Sequence, residues 1–180
     1  MLVLGIDPGS ITTGWALLKS SGNKIHYVAS GILKFDKDTV FLNRLFEIKK
    51  KSEELIQDIK PDEIAFESLI FVKSPTALMK LAQTRGVIIS SMLDRYHGSI
   101  FEYSPNLVKS TSVGHGHADK VGVKRFIDMM LGVREYQSHD ETDAIAIAIC
   151  HILNKGKIVE KKVAKKKSGL AGALAHKVRK

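Results

Sequence analysis

The chain has 180 residues, of which 44% are hydrophobic, a proportion typical of one globular domain with a buried core. No apolar run approaches the roughly 18 residues that a transmembrane helix needs, and the start of the chain lacks the basic segment of a signal peptide. Cys150 is the only cysteine, which excludes a disulfide framework and a cysteine zinc site. We therefore expect a cytoplasmic protein, not membrane-bound, with one reduced and buried thiol.

The net charge of +9 is concentrated at one end of the sequence. Residues 155–180 contain ten Lys or Arg and one acid, whereas residues 1–154 contain 18 basic and 18 acidic residues. This division predicts a folded domain over 1–154 and a low-complexity basic tail, disordered when free, over 155–180. Within the domain, residues 68–125 hold eight basic residues against three acidic ones, a balance of +5. Both basic regions favour a polyanionic partner.

The first part of the chain predicts three strands followed by a helix. Strands are indicated over Leu2–Asp7, Thr13–Lys19 and Ile25–Phe35, and the short turns between them favour an antiparallel meander. Apolar residues then recur at helical spacing in Thr39–Lys60, and Pro61 ends the pattern.

The rest of the chain predicts an alternation of helices and strands. Short apolar strands are indicated over Ile64–Glu67 and Ser99–Tyr103. Helices are indicated over Pro75–Tyr96, Lys120–Leu131 and Asp140–Leu153. This order predicts an α/β fold with a mixed five-stranded sheet and helices on both faces.

Four carboxylates stand at positions that such a fold can bring together. Asp7 and Glu67 each end an apolar strand, and Asp140 and Asp143 are three residues apart at the start of the last helix. This spacing puts the two aspartates on one helix face, about 5–6 Å apart at Cβ. Small neighbours in the strands, such as Gly5, leave room for ions and for a closely packed helix.

A cluster of four carboxylates requires cations, because like charges repel and burial penalises each of them. Hard oxygen ligands select Mg²⁺, with Mn²⁺ as a substitute. Two ions shared by Asp7, Glu67, Asp140 and Asp143 would form the arrangement used for in-line hydrolysis of phosphodiesters. The sequence therefore predicts a metal-dependent nuclease with these four residues as its catalytic and metal-binding groups.

Each acid also has an ordinary structural interpretation. Asp140 with Asp143 resembles a helix N-cap with an acidic third residue, and for that pair alone capping is favoured. Asp7 precedes Pro-Gly and fits a turn. Glu67 is the least expected, because strand propensity does not explain a glutamate at the end of an apolar strand. The metal hypothesis therefore depends on the conjunction of all four.

Isolated histidine, lysine and aromatic residues give weaker signals. His115 and His117 could ligate a metal, but no third or fourth ligand stands at suitable spacing, so an incidental glycine loop is favoured. Lys109 and Lys120 would ordinarily be solvated lysines. Phe71 could stack on an unpaired base, although an isolated aromatic is more often part of a core.

Several motifs follow one another in a fixed order between residues 2 and 154. They are the segment Leu-Gly-Ile-Asp-Pro-Gly-Ser from Leu4, Thr13-Gly14, Glu67 with Ala77–Gly86, Tyr103–Lys109, Val113–Lys120 and the helix from Asp140. In this order they resemble the RuvC family of crossover-junction endodeoxyribonucleases. The ordered set is far more specific than any single motif, and the tail after Asn154 contributes nothing to it.

The resemblance implies a ribonuclease H-like fold and a Mg²⁺-dependent homodimer, with two ions per subunit. Such a dimer nicks two opposed strands of a four-way DNA junction in recombination and repair, leaving 5′-phosphate and 3′-hydroxyl ends. Asp7, Glu67, Asp140 and Asp143 fall on the acidic motif of the family. The family also implies a branch-migration motor complex as a partner.

Candidate DNA contacts come from the basic segment and from the family pattern. Lys109 and Lys120 fall on basic positions that lie close to the scissile phosphate in the family. The family often has two aromatic residues after the catalytic glutamate, the first of which opens the junction, but here that first position is Ile70. Either Phe71 opens the junction, or an apolar side chain at Ile70 is sufficient to do so. The full set of expected DNA-binding residues is Phe71, Lys73, Lys80, Arg85, Lys109 and Lys120.

Three other functions fit parts of the sequence. A related nuclease could act on another structured nucleic acid, RNA included. A non-catalytic junction-binding protein would not need all four acids. The segment Gly5-Ile-Asp-Pro-Gly-Ser is also similar to the phosphate loop of actin-like ATPases and sugar kinases, but those proteins repeat the fold in two halves, and this chain has one.

Overall fold

The computed structural model describes residues 1–69, 74–113, 120–132 and 134–155. The predicted basic tail, apart from Lys155, falls outside these ranges. Among the described residues, no helix combines the length and the apolar character needed to cross a membrane.

A mixed sheet of five strands forms the centre of the fold, as predicted. The strands are β1 (Leu2–Asp7), β2 (Thr12–Ser21), β3 (Lys24–Lys34), β4 (Glu63–Glu67) and β5 (Ser99–Tyr103), arranged in the order β3-β2-β1-β4-β5. The first three are antiparallel to one another, whereas β4 runs parallel to β1 and β5 runs parallel to β4. The carboxyl ends of β1, β4 and β5 therefore lie at one edge of the sheet.

Five helices are described, of which the sequence predicted four. They are α1 (Phe41–Ile59), α2 (Pro75–Leu93), α3 (Pro105–Val113), α4 (Lys120–Leu131) and α5 (His139–Asn154). The helix that the sequence analysis missed is α3. Its start is stabilised by Ser104, whose hydroxyl accepts a hydrogen bond from the backbone N–H of Leu107, and by a proline in the first turn.

The helices cover both faces of the sheet, as predicted, and each face buries its own apolar core. On one face, α1 and α2 pack on Leu4, Ile6 and Phe66. On the other face, α3, α4 and α5 pack on side chains that include Val3 and Ala65. Because side chains alternate along a strand, Asp7 and Glu67 share the face of Val3 and Ala65.

Helix α5 runs antiparallel to β1 and β4, from the carboxyl end of these strands to their start. Its last turn contains the buried Cys150, which is a free thiol as expected, and His151, which hydrogen-bonds Glu63 at the beginning of β4. The residue after α5, Lys155, lies beside Met1, with its Nζ 3.5 Å from the methionine sulfur. The first residue and the end of α5 thus meet at the edge of the sheet opposite Asp7 and Glu67.

Candidate active site

Asp7 and Glu67 lie side by side because β1 and β4 are parallel and in register. Ile6 pairs with Phe66, so each carboxylate follows a paired residue at the same edge. Neighbouring strands are about 4.7–4.9 Å apart. Both acids are half-buried. The turn after Asp7 is closed by Thr13, whose hydroxyl donates to the carbonyl of Gly9 and accepts from its N–H, each over 3.1 Å.

The first turns of α5 lie directly on this edge because two glycines allow the helix to approach. Gly14 is the partner of Asp7 in the β1–β2 ladder, and a Cβ at Gly14 would overlap the carbonyl group of Asp140. A Cβ at Gly5 would overlap the backbone of Ala144. Asp140 therefore lies over the end of β1, on the face to which Asp7 projects.

Both burial and the charge of Asp143, the second aspartate of α5, affect the pKa of Glu67. Burial, followed by the nearby carboxylate of Asp143, raises the pKa of Glu67 above its ordinary value of 4.5, and Lys109 of α3 acts in the opposite direction. Glu67, Asp143 and Lys109 are therefore close enough to interact through charge. Two acids and one exposed lysine from three different elements meet at this edge of the sheet.

In the part of the chain that the structure describes, no group of three or more His, Cys, Asp and Glu side chains is arranged tightly enough to hold a metal ion. The chemistry of the four carboxylates nevertheless fits a hard divalent cation. All supply oxygen donors on one face, and the raised pKa of Glu67, caused first by burial and then by the charge of Asp143, reflects a cost that a cation would relieve.

Neither aspartate of α5 serves as its cap, so the capping interpretation of Asp140 is wrong. The helix begins at His139, and its N-cap is Ser138, whose hydroxyl accepts from the N–H of Glu141 over 3.3 Å. Sequence analysis assigned no role to Glu141, although Ser-x-x-Glu is a recognisable capping box. Asp140 and Asp143 thus project from helical positions set by other residues.

Glu141 itself anchors the start of α5 and is only 4% exposed. One carboxylate oxygen accepts from the hydroxyl of Ser30 on β3, and the other accepts from the backbone N–H of Gln137, both over 2.6 Å. A buried carboxylate whose two oxygens both accept hydrogen bonds has little freedom to move. Glu141 therefore holds the acid-bearing turn against the antiparallel part of the sheet.

The predicted DNA contacts differ in their surroundings. Lys109 and Lys80 are exposed, and the Nζ of Lys80 lies 5.7 Å from the ring centroid of Phe41. Arg85 is only 8% exposed, since its guanidinium pairs with Glu102 of β5 and lies 5.2 Å from the ring centroid of Phe66. These contacts give Arg85 a structural role in holding α2 to the sheet.

Other predicted positions cannot be placed. Lys120 begins α4, and the direction of its side chain is not described. The remaining predictions fall outside the described residues; they concern Phe71 and Lys73 as DNA contacts, Ile70 as the departure from the aromatic pattern, and His115 and His117 as incidental histidines.

Comparison with known proteins assigns the chain to a family. A family model described as crossover junction endodeoxyribonuclease RuvC matches residues 3–151. The chain belongs to this family of nucleases. RuvC relatives from Rhizobium johnstonii and Agrobacterium fabrum are 37% and 36% identical to it over 155 residues, which cover 86% of this chain and 90% of each relative. The resemblance stated from the sequence motifs is confirmed.

Solved structures agree with this assignment. A T. thermophilus RuvC in complex with a Holliday junction substrate has a TM-score of 0.79 and 25% identity, covering 86% of this chain and 94% of that one. The yeast mitochondrial Holliday junction resolvase Ydc2, with a TM-score of 0.61 and 15% identity, shares the fold over 82% of this chain and 76% of its own. The predicted ribonuclease H-like fold is therefore confirmed.

Proposed function

We propose that the protein is a structure-selective DNA endonuclease that resolves four-way junctions in recombination and repair. The observation that carries this proposal is the meeting of Asp7 and Glu67 under the first turns of α5, which bear Asp140 and Asp143, in a chain of the RuvC family. The proposed reaction is a pair of symmetric nicks that leave 5′-phosphate and 3′-hydroxyl ends. Such ends can be rejoined by a ligase.

The four carboxylates would hold the divalent cations that the reaction needs. Asp7, Glu67, Asp140 and Asp143 supply only hard oxygen donors, which suit two Mg²⁺ ions per subunit, with Mn²⁺ as a substitute. When bound, such ions activate an attacking water and stabilise the departing oxygen. For this purpose Glu67 must be deprotonated, and its raised pKa makes that more costly in the absence of a cation.

Basic residues would hold the phosphate and the arms of the junction. Lys109 acts on the charge of Glu67, which supports a role in offsetting negative charge at the scissile phosphate. Lys120, one helix further along the chain, would act with it. Lys80, Lys73 and Phe71 remain proposed contacts to the DNA strands around the crossover. Arg85 is left out of this set because its guanidinium is buried and paired.

The proposed substrate also suggests an assembly. A four-way junction has near two-fold symmetry, so a C₂ homodimer could present one site to each of two equivalent strands. We further propose a branch-migration motor complex as a partner and the cytoplasm as the location. The division into a nuclease domain over 1–154 and a basic DNA-binding tail over 155–180 belongs to the same proposal.

The decisive test is cleavage of a synthetic four-way junction with each strand labelled in turn. A linear DNA duplex and a four-way RNA junction serve as comparison substrates. Each reaction is run with Mg²⁺, with Mn²⁺ and with a chelator. Paired nicks at symmetric positions, confined to the DNA junction and abolished by chelator, are expected. Tight junction binding without any nick in either metal would leave a binding module and overturn the proposal, and preferred cleavage of RNA would identify a different nuclease.

A further inference from the structure

A buried chain of polar side chains lies at the edge of the sheet opposite the four carboxylates. The hydroxyl of Tyr103 on β5 is 2.6 Å from Nδ1 of His151, and Nε2 of His151 is 2.7 Å from a carboxylate oxygen of Glu63 on β4. The imidazole has no exposed surface. The other oxygen of Glu63 pairs with Lys155. Two strands and the last turn of α5 are thus joined by hydrogen bonds inside the core.

The chain of hydrogen bonds is complete when the imidazole is neutral. Burial favours the neutral form of Glu63, but hydrogen bonds from Lys155 and His151 bring its pKa below the ordinary value, so its carboxylate accepts a hydrogen bond from Nε2–H of His151. Burial lowers the pKa of His151 in spite of the carboxylate, and burial raises the pKa of Tyr103 to about 12. Tyr103 therefore donates to Nδ1, and every polar atom of the imidazole is satisfied.

The distance from Asp143 to His151 along α5 is about the same as the distance from Glu67 to Glu63 along β4. Eight residues of α5 separate Asp143 from His151, which is about 12 Å of helix. Four residues of β4 separate Glu63 from Glu67, which is about 13 Å of strand. Because α5 runs antiparallel to β4, the two pairs connect the helix with the strand at two levels. We call the His151–Glu63 pair the lower rung and the Asp143–Glu67 pair the upper rung.

Between the two rungs, contact is made by small apolar groups. Gly5, the partner of Ala65 in the pairing of β1 with β4, faces Ala144 and Ala148 of α5, and both alanines are completely buried. This close contact brings the helix backbone directly onto the sheet. Glu141 holds the start of α5 to β3, whereas the His151–Glu63 hydrogen bond joins the end of α5 to β4, the strand that carries Glu67.

We propose that His151 is a positioning residue for the active site. Together with the anchor at Glu141, its hydrogen bond to Glu63 keeps α5 in register with β4, and thereby helps to set the spacing between Asp143 and Glu67. The proposal rests on the proposed function in treating these two carboxylates as part of a metal site. Loss of the lower rung would let the carboxylates move apart and would weaken cation binding.

The test uses full-length variants. Two of them break the lower rung, one by changing the residue on α5 and one by changing the residue on β4, and a third only weakens the core. His151→Leu removes the helix partner, and Glu63→Ala removes the strand partner without touching the core of α5. Ile149→Val is the control, because Ile149 is fully buried in α5 close to His151 and its side chain has no polar group. Mg²⁺ affinity is measured by calorimetry without DNA, at a temperature where all variants are folded.

We expect Mg²⁺ affinity to fall about tenfold or more in His151→Leu and in Glu63→Ala, as for other residues that orient ligands. The double variant should lose no more than the larger single loss, because both changes break one contact. His151→Gln, whose amide can donate and accept in the same directions, should recover most of the affinity. Equal affinities in His151→Leu, Glu63→Ala and Ile149→Val would overturn the proposal.

Junction cleavage is assayed separately, so a wild-type protein that binds Mg²⁺ but does not cut junctions would refute the proposed function alone.

Discussion

Asp7 occupies a position that the sheet fixes from both sides. Its strand pairs with β2 through Gly14 and with β4 up to Phe66, and the turn behind it is fastened by Thr13. A backbone held in this way gives the carboxylate a fixed point of attachment beside a bound cation. The sheet therefore makes Asp7 the reference point around which the carboxylates on α5 and β4 are arranged.

The substitution Asp7→Asn should abolish cleavage but leave junction binding intact or slightly tighter. It keeps the shape of the side chain but removes a negative charge that repels phosphate and binds metal. A loss of cleavage of at least about 10²-fold is expected, as for removal of one stabilising group at a reacting phosphate or carbonyl. Cleavage rate and junction affinity in Ca²⁺ are the two measurements.

Asp58→Asn provides the matched control, because Asp58 is exposed on α1 and loses the same charge far from the site. This variant should cleave at the wild-type rate. If Asp7→Asn lost junction binding together with cleavage, and its thermal midpoint fell as well, misfolding rather than lost chemistry would be the cause.

Glu67→Gln should reveal the cost of the raised pKa in the metal-free protein. A carboxyl with a raised pKa stabilises the fold below its ordinary value of 4.5, and that contribution is lost as the pH rises through the higher folded value. At pH 8 the metal-free Gln variant should therefore melt at the same temperature as the wild type or higher, and the difference should disappear near pH 4. Thermal melts across this range provide the measurement.

The two proteins should differ in how much Mg²⁺ raises their thermal stability. The wild type should gain thermal stability because the cation offsets the repulsion between Glu67 and Asp143, whereas Glu67→Gln should gain much less. Glu54→Gln, at an exposed position of α1, should behave as the wild type throughout. A variant that melted well below the wild type at pH 8 without metal would contradict this account of Glu67.

At the scale of elements, the close contact between α5 and the sheet requires glycine at two strand positions. Gly14→Ala should destabilise the protein and reduce cleavage, because its Cβ would displace the turn that carries Asp140. Overpacking of this kind costs about 1–3 kcal/mol. Urea unfolding measures the cost, and the cleavage rate reports the shift of the carboxylates.

Gly86→Ala makes the same chemical change where the structure leaves open space. Gly86 lies inside α2, and apart from its chain neighbours and the backbone of its own helix, no described atom lies within 4 Å of the place where its Cβ would be. Alanine there should stabilise the protein by about 0.5–1 kcal/mol through its better helix propensity, with cleavage unchanged. Equal effects of the two substitutions would show that the approach of α5 to β2 is unimportant.

Most elements could be predicted because their signals are local. The apolar runs of β1 and β4 and the stripe of α1 ended by Pro61 depend on neighbours in the sequence, and they appear where expected within a few residues. Helix α3 was missed because its nine residues carry no sustained apolar stripe, although the pair Ser104-Pro105 was a start signal. Short helices of this kind are stabilised by the contacts they make in the fold.

The candidate site could be predicted as a set of residues but not as a geometry. Strand ends and helical spacing pointed to Asp7, Glu67, Asp140 and Asp143. The anchors of α5, Glu141 and His151, were not found, because their partners on β3 and β4 are far away in the sequence. Arg85 was predicted as a DNA contact from charge alone, since pairing with Glu102 depends on the register of α2 against β5.

For the whole molecule, the basic tail should govern the salt dependence of DNA binding. Residues 156–180 contain nine basic residues and one acid. Their deletion should flatten the plot of log affinity against log salt concentration, because fewer counterions are released on binding. The deletion begins after Lys155, so that the ion pair with Glu63 is kept. Fluorescence anisotropy with a labelled junction measures the slope.

Cleavage at low salt should survive this deletion, since the proposed catalytic residues all lie before residue 154. A tail of equal length with its basic residues replaced by glutamine distinguishes charge from chain length, and it should behave as the deletion does. A truncated protein that could not cut junctions even at low salt would show that the tail contributes to the chemistry.

The meeting of Met1 with Lys155 has a practical consequence for the topology of the chain. Because the two residues lie together at the edge of the sheet remote from the carboxylates, a short glycine linker could join them in a protein that lacks residues 156–180, and a new start could be opened elsewhere. Such a circular permutant, with new ends at the exposed turn around Gly22, should still fold. It would also allow a surface tether or dye to be attached at a chosen end without obstructing the junction.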